Sequence, residues 1–259
     1  MNNLIDSHAH ILDEAYKDDY QGVIERAKQA GLKQINIICC EFDQALKAVK
    51  LKQQNQMFQV SVGIFPNDKD KLTASGLKEL TTIVSKNNID MIGEIGLDYY
   101  WEKDYKELQQ EYFIKQINLA NQYNLPVVIH SRDAANDTLK ILKEHPVNRK
   151  GIIHCYSQSL EMAREYIKLG YLLGIGGVVT FKNAKTLKKV VTEIDLKNLI
   201  VETDAPYLTP TPFRGKQNEP AYIQYTYQEI ANLKGISVEE LISSCQKNYA
   251  RLLGHYEDL

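Results

Sequence analysis

The chain has 259 residues, of which 44% are hydrophobic and 25% are charged, and its formal charge is −2. No apolar run approaches the roughly 18 residues that cross a bilayer, so the sequence predicts no membrane span. The small net charge excludes a strong global attraction to nucleic acid or to an anionic membrane. Any polyanion would therefore have to be held locally.

The cysteines and the N-terminus bear on localisation. Cys39, Cys40, Cys155 and Cys245 have no metal-type spacing, and three of them lie in or beside apolar segments. Such residues are typical of free thiols in a reducing compartment. The first residues have neither the basic start nor the apolar stretch of a secretory signal. We expect a cytoplasmic protein.

Short apolar runs alternate with longer segments of helical period, which is the pattern of a parallel sheet with crossover helices. Eight such runs predict strands at Asn3–Ser7, Gln34–Cys39, Gln59–Gly63, Met91–Glu94, Pro126–His130, Gly151–His154, Tyr171–Ile175 and Leu199–Glu202. Eight strands, each followed by a helix, can close into a barrel or lie as an open doubly wound sheet. The first strand is followed by His-Ala-His rather than a glycine-rich phosphate loop, which favours the barrel.

The predicted fold is therefore of the α/β class, a TIM-type (β/α)₈ barrel. An apolar stripe from Val238 to Leu252 predicts an additional C-terminal helix. We found no internal repeat, low-complexity tract or linker-like composition shift, so residues 1–259 are interpreted as one domain. The irregular stretch from Ala205 to Gln217 follows the last strand and is expected to lie over the mouth of the barrel.

Residue types that bind metal recur at the carboxyl ends of the predicted strands. They are His8, His10, Glu94, His130, His154 and Asp204. These strand ends meet at one rim of a barrel, and residues two apart on a strand point the same way. His145 and His255 lie elsewhere and are predicted to be surface residues.

Each of these residues also has an ordinary structural interpretation. A single histidine at a strand end is commonly a hydrogen-bonded structural residue, Glu94 could be an ion-pair partner, and Asp204 could cap a helix. The combination favours metal, because carboxylates and imidazoles gathered at one rim without a cation would cost several kcal/mol per buried charge.

Several motifs in order resemble the TatD family of metal-dependent deoxyribonucleases, a branch of the amidohydrolase superfamily of TIM barrels. They are Asp6–His10 (DSHAH), Gly93–Tyr99 (GEIGLDY), Pro126–Asp133 (PVVIHSRD), His154–Ser157 (HCYS), Val201–Leu208 (VETDAPYL) and Arg214–Pro220 (RGKQNEP). The resemblance covers almost the whole chain. It implies a metal-dependent hydrolase acting on ester bonds, with DNA, single-stranded or at its ends, as substrate.

The resemblance also implies a ligand set for two divalent ions, which could be Zn, Mn, Ni or Mg. The first ion would be bound by His8, His10, Glu94 and Asp204, and the second by Glu94, His130 and His154, with Glu94 bridging. Two ions about 3.5–4 Å apart suit phosphodiester hydrolysis. We expect in-line attack by a metal-bound hydroxide, with Glu94 and Asp204 as the catalytic residues and Asp204 also accepting a proton.

Three residues are predicted to contact substrate. Arg132 is placed to reach a phosphate, although a structural salt bridge is an equal alternative. Arg214 lies on the long loop and could hold the flanking backbone, although a basic loop is often only solvated. Tyr99, with Tyr100 and Trp101, could stack on bases, although packing of these aromatic rings is the alternative.

Two further residues lie close to the predicted ligands in the sequence. Because Cys155 directly follows His154, strand alternation predicts that its side chain faces away from the metals. Asp6, two residues before His8, could orient an imidazole or pair elsewhere.

The chain departs from the family pattern after the third strand. The family usually has Gly-x-His-Pro-His there, whereas this chain has Phe65 and Asn67 in place of the two histidines. Gln158 also stands where the family commonly has glycine. The metal ligands are retained, but a contact with the substrate or leaving group could be lost.

Two alternatives remain open. One is a binuclear enzyme of the same superfamily that acts on a small-molecule ester, lactone or amide, although many such sites bridge their metals with a lysine that is missing from these strand ends. The other is a metal-binding protein without catalysis, which the missing histidine pair suggests. The sequence indicates neither a membrane nor a protein partner.

Overall fold

The computed structural model describes residues 1–101 and 103–254, so His255 lies outside the described part. The strands are β1 (Leu4–Ala9), β2 (Leu32–Cys39), β3 (Phe58–Val62), β4 (Met91–Asp98), β5 (Val127–Arg132), β6 (Gly151–Ile153), β7 (Leu172–Ile175) and β8 (Leu199–Val201). They form one sheet in sequence order, and every neighbouring pair is parallel.

Helices alternate with these strands and pack around them. They are α1 (Tyr20–Gln29), α2 (Phe42–Gln54), α3 (Ala74–Lys86), α4 (Lys106–Gln122), α5 (Ala135–Glu144), α6 (Leu160–Lys168), α7 (Lys185–Glu193), α8 (Ile223–Lys234) and α9 (Val238–Leu253). Thr73, Ser159 and Ser237 each accept a backbone N–H at the start of a helix. The predicted TIM barrel with an additional C-terminal helix is confirmed, and α9 is that helix.

The first and last strands meet just beyond the end of β8. Ala9 forms a parallel bridge with Ala205, and the Asp204 N–H donates to the His8 carbonyl at 2.9 Å. The His10 N–H donates to the Ala205 carbonyl at 2.8 Å. These bonds join residues that were predicted as metal ligands at opposite ends of the chain.

Three strands run further at their carboxyl ends than predicted, since β1 ends at Ala9, β4 at Asp98 and β5 at Arg132. β4 continues four residues past Glu94, because Ile95 and Leu97 are also buried and the strand keeps its pairing with β5. Gly96 lies opposite His130 with a φ of +137°, and a Cβ at Gly96 would lie 2.0 Å from the His130 carbonyl oxygen. Glycine is therefore required where β4 approaches β5 beside the site.

The core consists of apolar side chains from the strands and from the inner faces of the helices, as expected for a barrel whose interior is filled. Among the described residues, no helix is both long enough and apolar enough to cross a membrane. The segment from Glu202 to Glu219 has no helix or strand and lies after β8, as predicted for the long loop.

Candidate metal centre

A pocket of about 610 Å³ opens at the carboxyl ends of the strands. His10, Glu94, His130, His154 and Asp204 line it. His8 lies buried beneath them, with its ring stacked on that of His154 at 3.5 Å between centroids. The structure therefore brings all six predicted ligands together, and we refer to this space as the metal pocket.

One group of ligand atoms comes from β1 and from the residue that closes the barrel. The Nε2 atoms of His8 and His10 lie 3.1 Å apart. Asp204 Oδ1 lies 3.6 Å from His8 Nε2 and 3.5 Å from His10 Nε2. These three residues offer ligand atoms within 4.8 Å of one another, which suits binding of one ion.

A second group comes from β4, β5 and the end of β6. Glu94 Oε1 lies 2.8 Å from His130 Nδ1 and 3.6 Å from His154 Nε2. These three residues also offer ligand atoms within 4.8 Å of one another.

Glu94 lies between the two groups. Its second oxygen, Oε2, lies 3.4 Å from His8 Nε2 and 3.7 Å from His10 Nε2. The Glu94 side chain, on β4, is almost fully buried. Each carboxylate oxygen thus faces a different set of imidazoles, which is the arrangement that a bridging ligand requires.

Two carboxylates that the sequence analysis missed contact the outer nitrogens of the second group. Asp98 Oδ2 lies 3.1 Å from His130 Nε2, and Glu202 Oε1 lies 2.9 Å from His154 Nδ1. Both carboxylates are buried. A carboxylate in this position fixes the tautomer and orientation of a ligating imidazole. Their spacing in the sequence could have identified them. Asp98 is four residues after Glu94, and Glu202 is two residues before Asp204, so each is on the same side of an extended strand as a predicted ligand.

The electrostatics of the cluster fit a cation. Burial alone would raise the pKa of Glu94, but the charges of His154 and His8 hold it well below its ordinary value. Burial lowers the pKa of His154, yet Glu202 and Glu94 outweigh burial and raise it to about 9. The buried carboxylates are thus stable in their ionised form only with positive charge beside them. A divalent cation supplies that charge while the imidazoles bind it in their neutral form, so the donor set fits metal.

Cys155 was predicted to face away from the metals, and this is wrong. Its sulfur lies within 4.8 Å of ligand atoms of His154 and Asp204. β6 ends at Ile153, so strand alternation no longer applies at residue 155, and Cys155 has a φ of +46°. Its N–H donates to Glu202 Oε1 at 2.6 Å, which holds this conformation.

Asp6 does not contact an imidazole ring. Its carboxylate accepts the Thr203 N–H at 2.9 Å and the Thr203 hydroxyl at 2.6 Å, and it also accepts the His8 N–H at 3.2 Å. Asp6 therefore ties β1 to the residue before Asp204. Burial is the main reason that its pKa is raised to about 7.

Of the predicted substrate contacts, Arg132 lines the metal pocket. Its guanidinium lies over the Tyr100 ring at 4.0 Å and near the Trp101 ring at 5.5 Å. Within the described residues it has no carboxylate at ion-pair distance, so the alternative of a structural salt bridge finds no support there.

Tyr99 and Arg214 do not line the metal pocket. Tyr99 is buried, and its hydroxyl lies 2.9 Å from Asp137 Oδ2. Arg214 lies over the Phe181 ring at 4.2 Å, on the outer part of the long loop. Sequence position placed both residues near the mouth of the barrel, but their side chains pack against other groups.

The residues that replace the expected histidine pair both line the metal pocket. The Phe65 ring meets the His130 ring edge-on at 4.9 Å between centroids. Asn67 Nδ2 donates to Asp98 Oδ2 at 3.1 Å, so Asn67 steadies the carboxylate that contacts His130. This chain thus surrounds His130 with an apolar ring and an amide-anchored carboxylate.

The sequence and the fold were compared with known proteins. The family model described as "TatD related DNase" matches residues 5–254. The metal-dependent hydrolase YabD of Bacillus subtilis is 42% identical over 250 residues, covering 96% of this chain and 98% of that protein. YcfH of Escherichia coli K12, also described as a metal-dependent hydrolase, is 36% identical, with coverage of 96% and 95%.

A solved structure agrees with these sequence matches. The crystal structure of YJJV, a TatD homologue from Escherichia coli K12, superposes with a TM-score of 0.91 at 29% identity and covers 96% of this chain and 97% of that one. Because the family model spans nearly all of the barrel, including every residue of the metal pocket, the chain belongs to the TatD family of metal-dependent hydrolases.

Proposed function

We propose that this protein hydrolyses phosphodiester bonds of DNA, single-stranded or at strand ends, with two divalent ions bound in the metal pocket. The observation that carries this proposal is the placement of Glu94, whose two oxygens face separate groups of imidazoles. Phosphodiesters are anionic and resist attack, so their hydrolysis benefits from paired cations more than that of a neutral ester. The family description "TatD related DNase" supports the same substrate class.

The chain would hold one ion with His8, His10 and Asp204 and the other with His130 and His154, with Glu94 shared between them. When bound, such ions supply a nucleophile that is ionised at neutral pH and positive charge beside the phosphorus. Their identity could be Zn, Mn, Ni or Mg, because imidazoles and carboxylates accept all four.

Asp204 is proposed as the proton acceptor. Burial would raise its pKa, but the charge of His154 and a hydrogen bond from His10 lower the pKa below its ordinary value. Asp204 is therefore ionised at neutral pH, and its side chain reaches the pocket surface. A carboxylate in that state can accept a proton from the attacking group.

Arg132 and the exposed aromatic side chains at the mouth are proposed to bind a single strand. Trp101 and Tyr207 line the metal pocket and are 65% and 52% exposed. Exposed aromatic rings stack on unpaired bases without reading their sequence. The guanidinium of Arg132, beside Trp101 and without a carboxylate partner among the described residues, is placed to bind a phosphate oxygen.

The test is a nuclease assay on end-labelled single-stranded DNA. The protein is chelated, dialysed and supplied with each metal in turn, and Asp204→Asn is compared with Asp13→Asn, which changes another carboxylate of the same pocket. We expect cleavage only with added metal and a loss of at least about 100-fold in kcat for Asp204→Asn. Cleavage of a lactone or ester panel without cleavage of DNA would contradict the proposal.

A further inference from the structure

A second pocket adjoins the metal pocket. Its volume is about 690 Å³, and it lies between the end of β5, the start of α5 and the segment after β6. Lys106, Ser131, Asn136 and Ser157 line it, together with Arg132. We call it the flanking pocket. Its size is in the range of small-ligand sites, which is about 300–1,000 Å³.

Arg132 is the residue that the two pockets share. It lies two residues after His130 on β5, a distance of about 6.6 Å along a strand that rises about 3.3 Å per residue. The Tyr100 ring supports its guanidinium from one side. A ligand that leaves the metal pocket past Arg132 therefore enters the flanking pocket directly.

The charges of the flanking pocket suit a ligand with a single negative group. Arg132 and Lys106 are balanced by Asp133 and Asp137. The Asp137 carboxylate already accepts hydrogen bonds from the Tyr99 hydroxyl at 2.9 Å and from the Gln110 amide at 3.1 Å. This balance disfavours a bare multivalent anion, which would meet two carboxylates at close range.

The neutral groups of the flanking pocket offer hydrogen bonds to a sugar or a base. Ser157 and Asn136 have exposed side chains on its wall. Hydroxyl and amide groups can both donate and accept, so they match the mixed donors and acceptors of a nucleoside. The pocket therefore suits a ligand with one anionic group and attached neutral polar groups, as in a single nucleotide unit.

We infer that the flanking pocket binds the nucleotide next to the scissile bond, with its phosphate on Arg132 and Lys106 and its sugar and base against Ser157 and Asn136. This inference rests on the proposed function and extends it. The substrate is then a strand of several nucleotides rather than a small ester, because a small ester has no second unit to occupy the flanking pocket.

The first test is a length series of thymidylates, with bis(p-nitrophenyl) phosphate as the substrate that reaches only the metal pocket. In the parent, kcat/KM rises as nucleotides are added. In Lys106→Ala and in Ser157→Phe, which places a bulky ring in the flanking pocket, we expect that rise to shrink about tenfold. Lys140→Ala on the exposed face of α5 and Ser85→Phe on α3 are the matched controls and keep the full rise.

The second test measures binding without cleavage. Trp101 is the sole tryptophan of the chain and lies beside Arg132 at the junction of the two pockets. Titrating the metal-chelated protein with a short thymidylate should change its fluorescence. Lys106→Ala should require about ten times more thymidylate for half of that change.

The outcomes distinguish a failure of the flanking pocket as a subsite from a failure of the proposed function. If thymidylates are cleaved but both variants keep the parent's gain with length, the flanking pocket is not a subsite and the proposed function stands. If bis(p-nitrophenyl) phosphate is cleaved while no thymidylate is cleaved or bound, the proposed function fails and this inference falls with it.

Discussion

Asp98 Oδ2 lies 3.1 Å from Nε2 of His130, on the side of the ring opposite the Glu94 contact. Asn67 anchors the same carboxylate oxygen. The ring of His130 is thus held between two carboxylates, with Nδ1 toward Glu94 and Nε2 toward Asp98. A ligating histidine held in this way loses little freedom when it binds an ion, so the contact bears directly on metal affinity.

We predict that Asp98→Asn weakens metal binding by about 10–100-fold, because the amide no longer attracts the imidazole proton as a carboxylate does. Isothermal titration of the chelated protein with Zn or Mn measures the change. Asp104→Asn, an exposed position with no contact to the pocket, should titrate like the parent. Equal affinity in Asp98→Asn and the parent would show that the carboxylate does not position His130.

Glu94→Gln is predicted to reduce the metal content at both groups of ligands. The reason is that one oxygen faces each group, whereas His130 contributes to the second group only. Metal per protein, measured by mass spectrometry after dialysis, should fall further in Glu94→Gln than in His130→Ala. If both variants lost a single equivalent, the shared role of Glu94 would be wrong.

Gly96→Ala is predicted to destabilise the fold by about 2–4 kcal/mol, because the new Cβ collides with the His130 carbonyl. Displacement of β5 would also move His130, so this variant should bind metal more weakly. Gly215→Ala is the matched control, since Gly215 also has a positive φ but has no atom within 4 Å of the added Cβ. Its expected cost is about 1–2 kcal/mol. Urea unfolding measures both changes, and equal losses in the two variants would contradict the collision.

Asp6 should make the stability of the chelated protein depend on pH. Burial raises its pKa from 3.8 to about 7 in the folded state, so between these values the folded protein holds a proton that the unfolded chain has released. The contribution of Asp6 to stability therefore declines as pH rises from about 4 to 7 and is constant above that range.

Asp6→Asn is the comparison, because its side chain is neutral at every pH. As pH rises through the same range, the free energy of unfolding of the parent should fall relative to that of Asp6→Asn. Urea unfolding at several pH values between 4.5 and 8 measures it. A difference that does not vary with pH would indicate that Asp6 has an ordinary pKa.

The sequence predicted the order of the eight strands and the six candidate ligands that meet at the metal pocket, because apolar periodicity and even spacing along a strand are local properties. It did not predict that β4 continues to Asp98, since the pairing that extends it is with β5, more than 30 residues away. Asp98 and Glu202 were overlooked for a related reason. Their roles depend on which imidazole lies opposite, and that is set by the closed barrel.

Side-chain direction beyond the strands was the least predictable property. The Cys155 sulfur lies near His154 and Asp204 because its backbone has a positive φ and its N–H is held by Glu202, and neither follows from the alternation of a strand. Arg214 and Phe181 are far apart in sequence but meet on the surface. Such contacts depend on the three-dimensional course of the loops.

The bond between the Asp204 N–H and the His8 carbonyl also has a consequence for synthesis of the protein. A nascent chain that has emerged only as far as β7 has His8 and His10 but lacks both Asp204 and the backbone that positions it. The group formed by His8, His10 and Asp204 can therefore assemble only after the chain has been synthesised through Asp204.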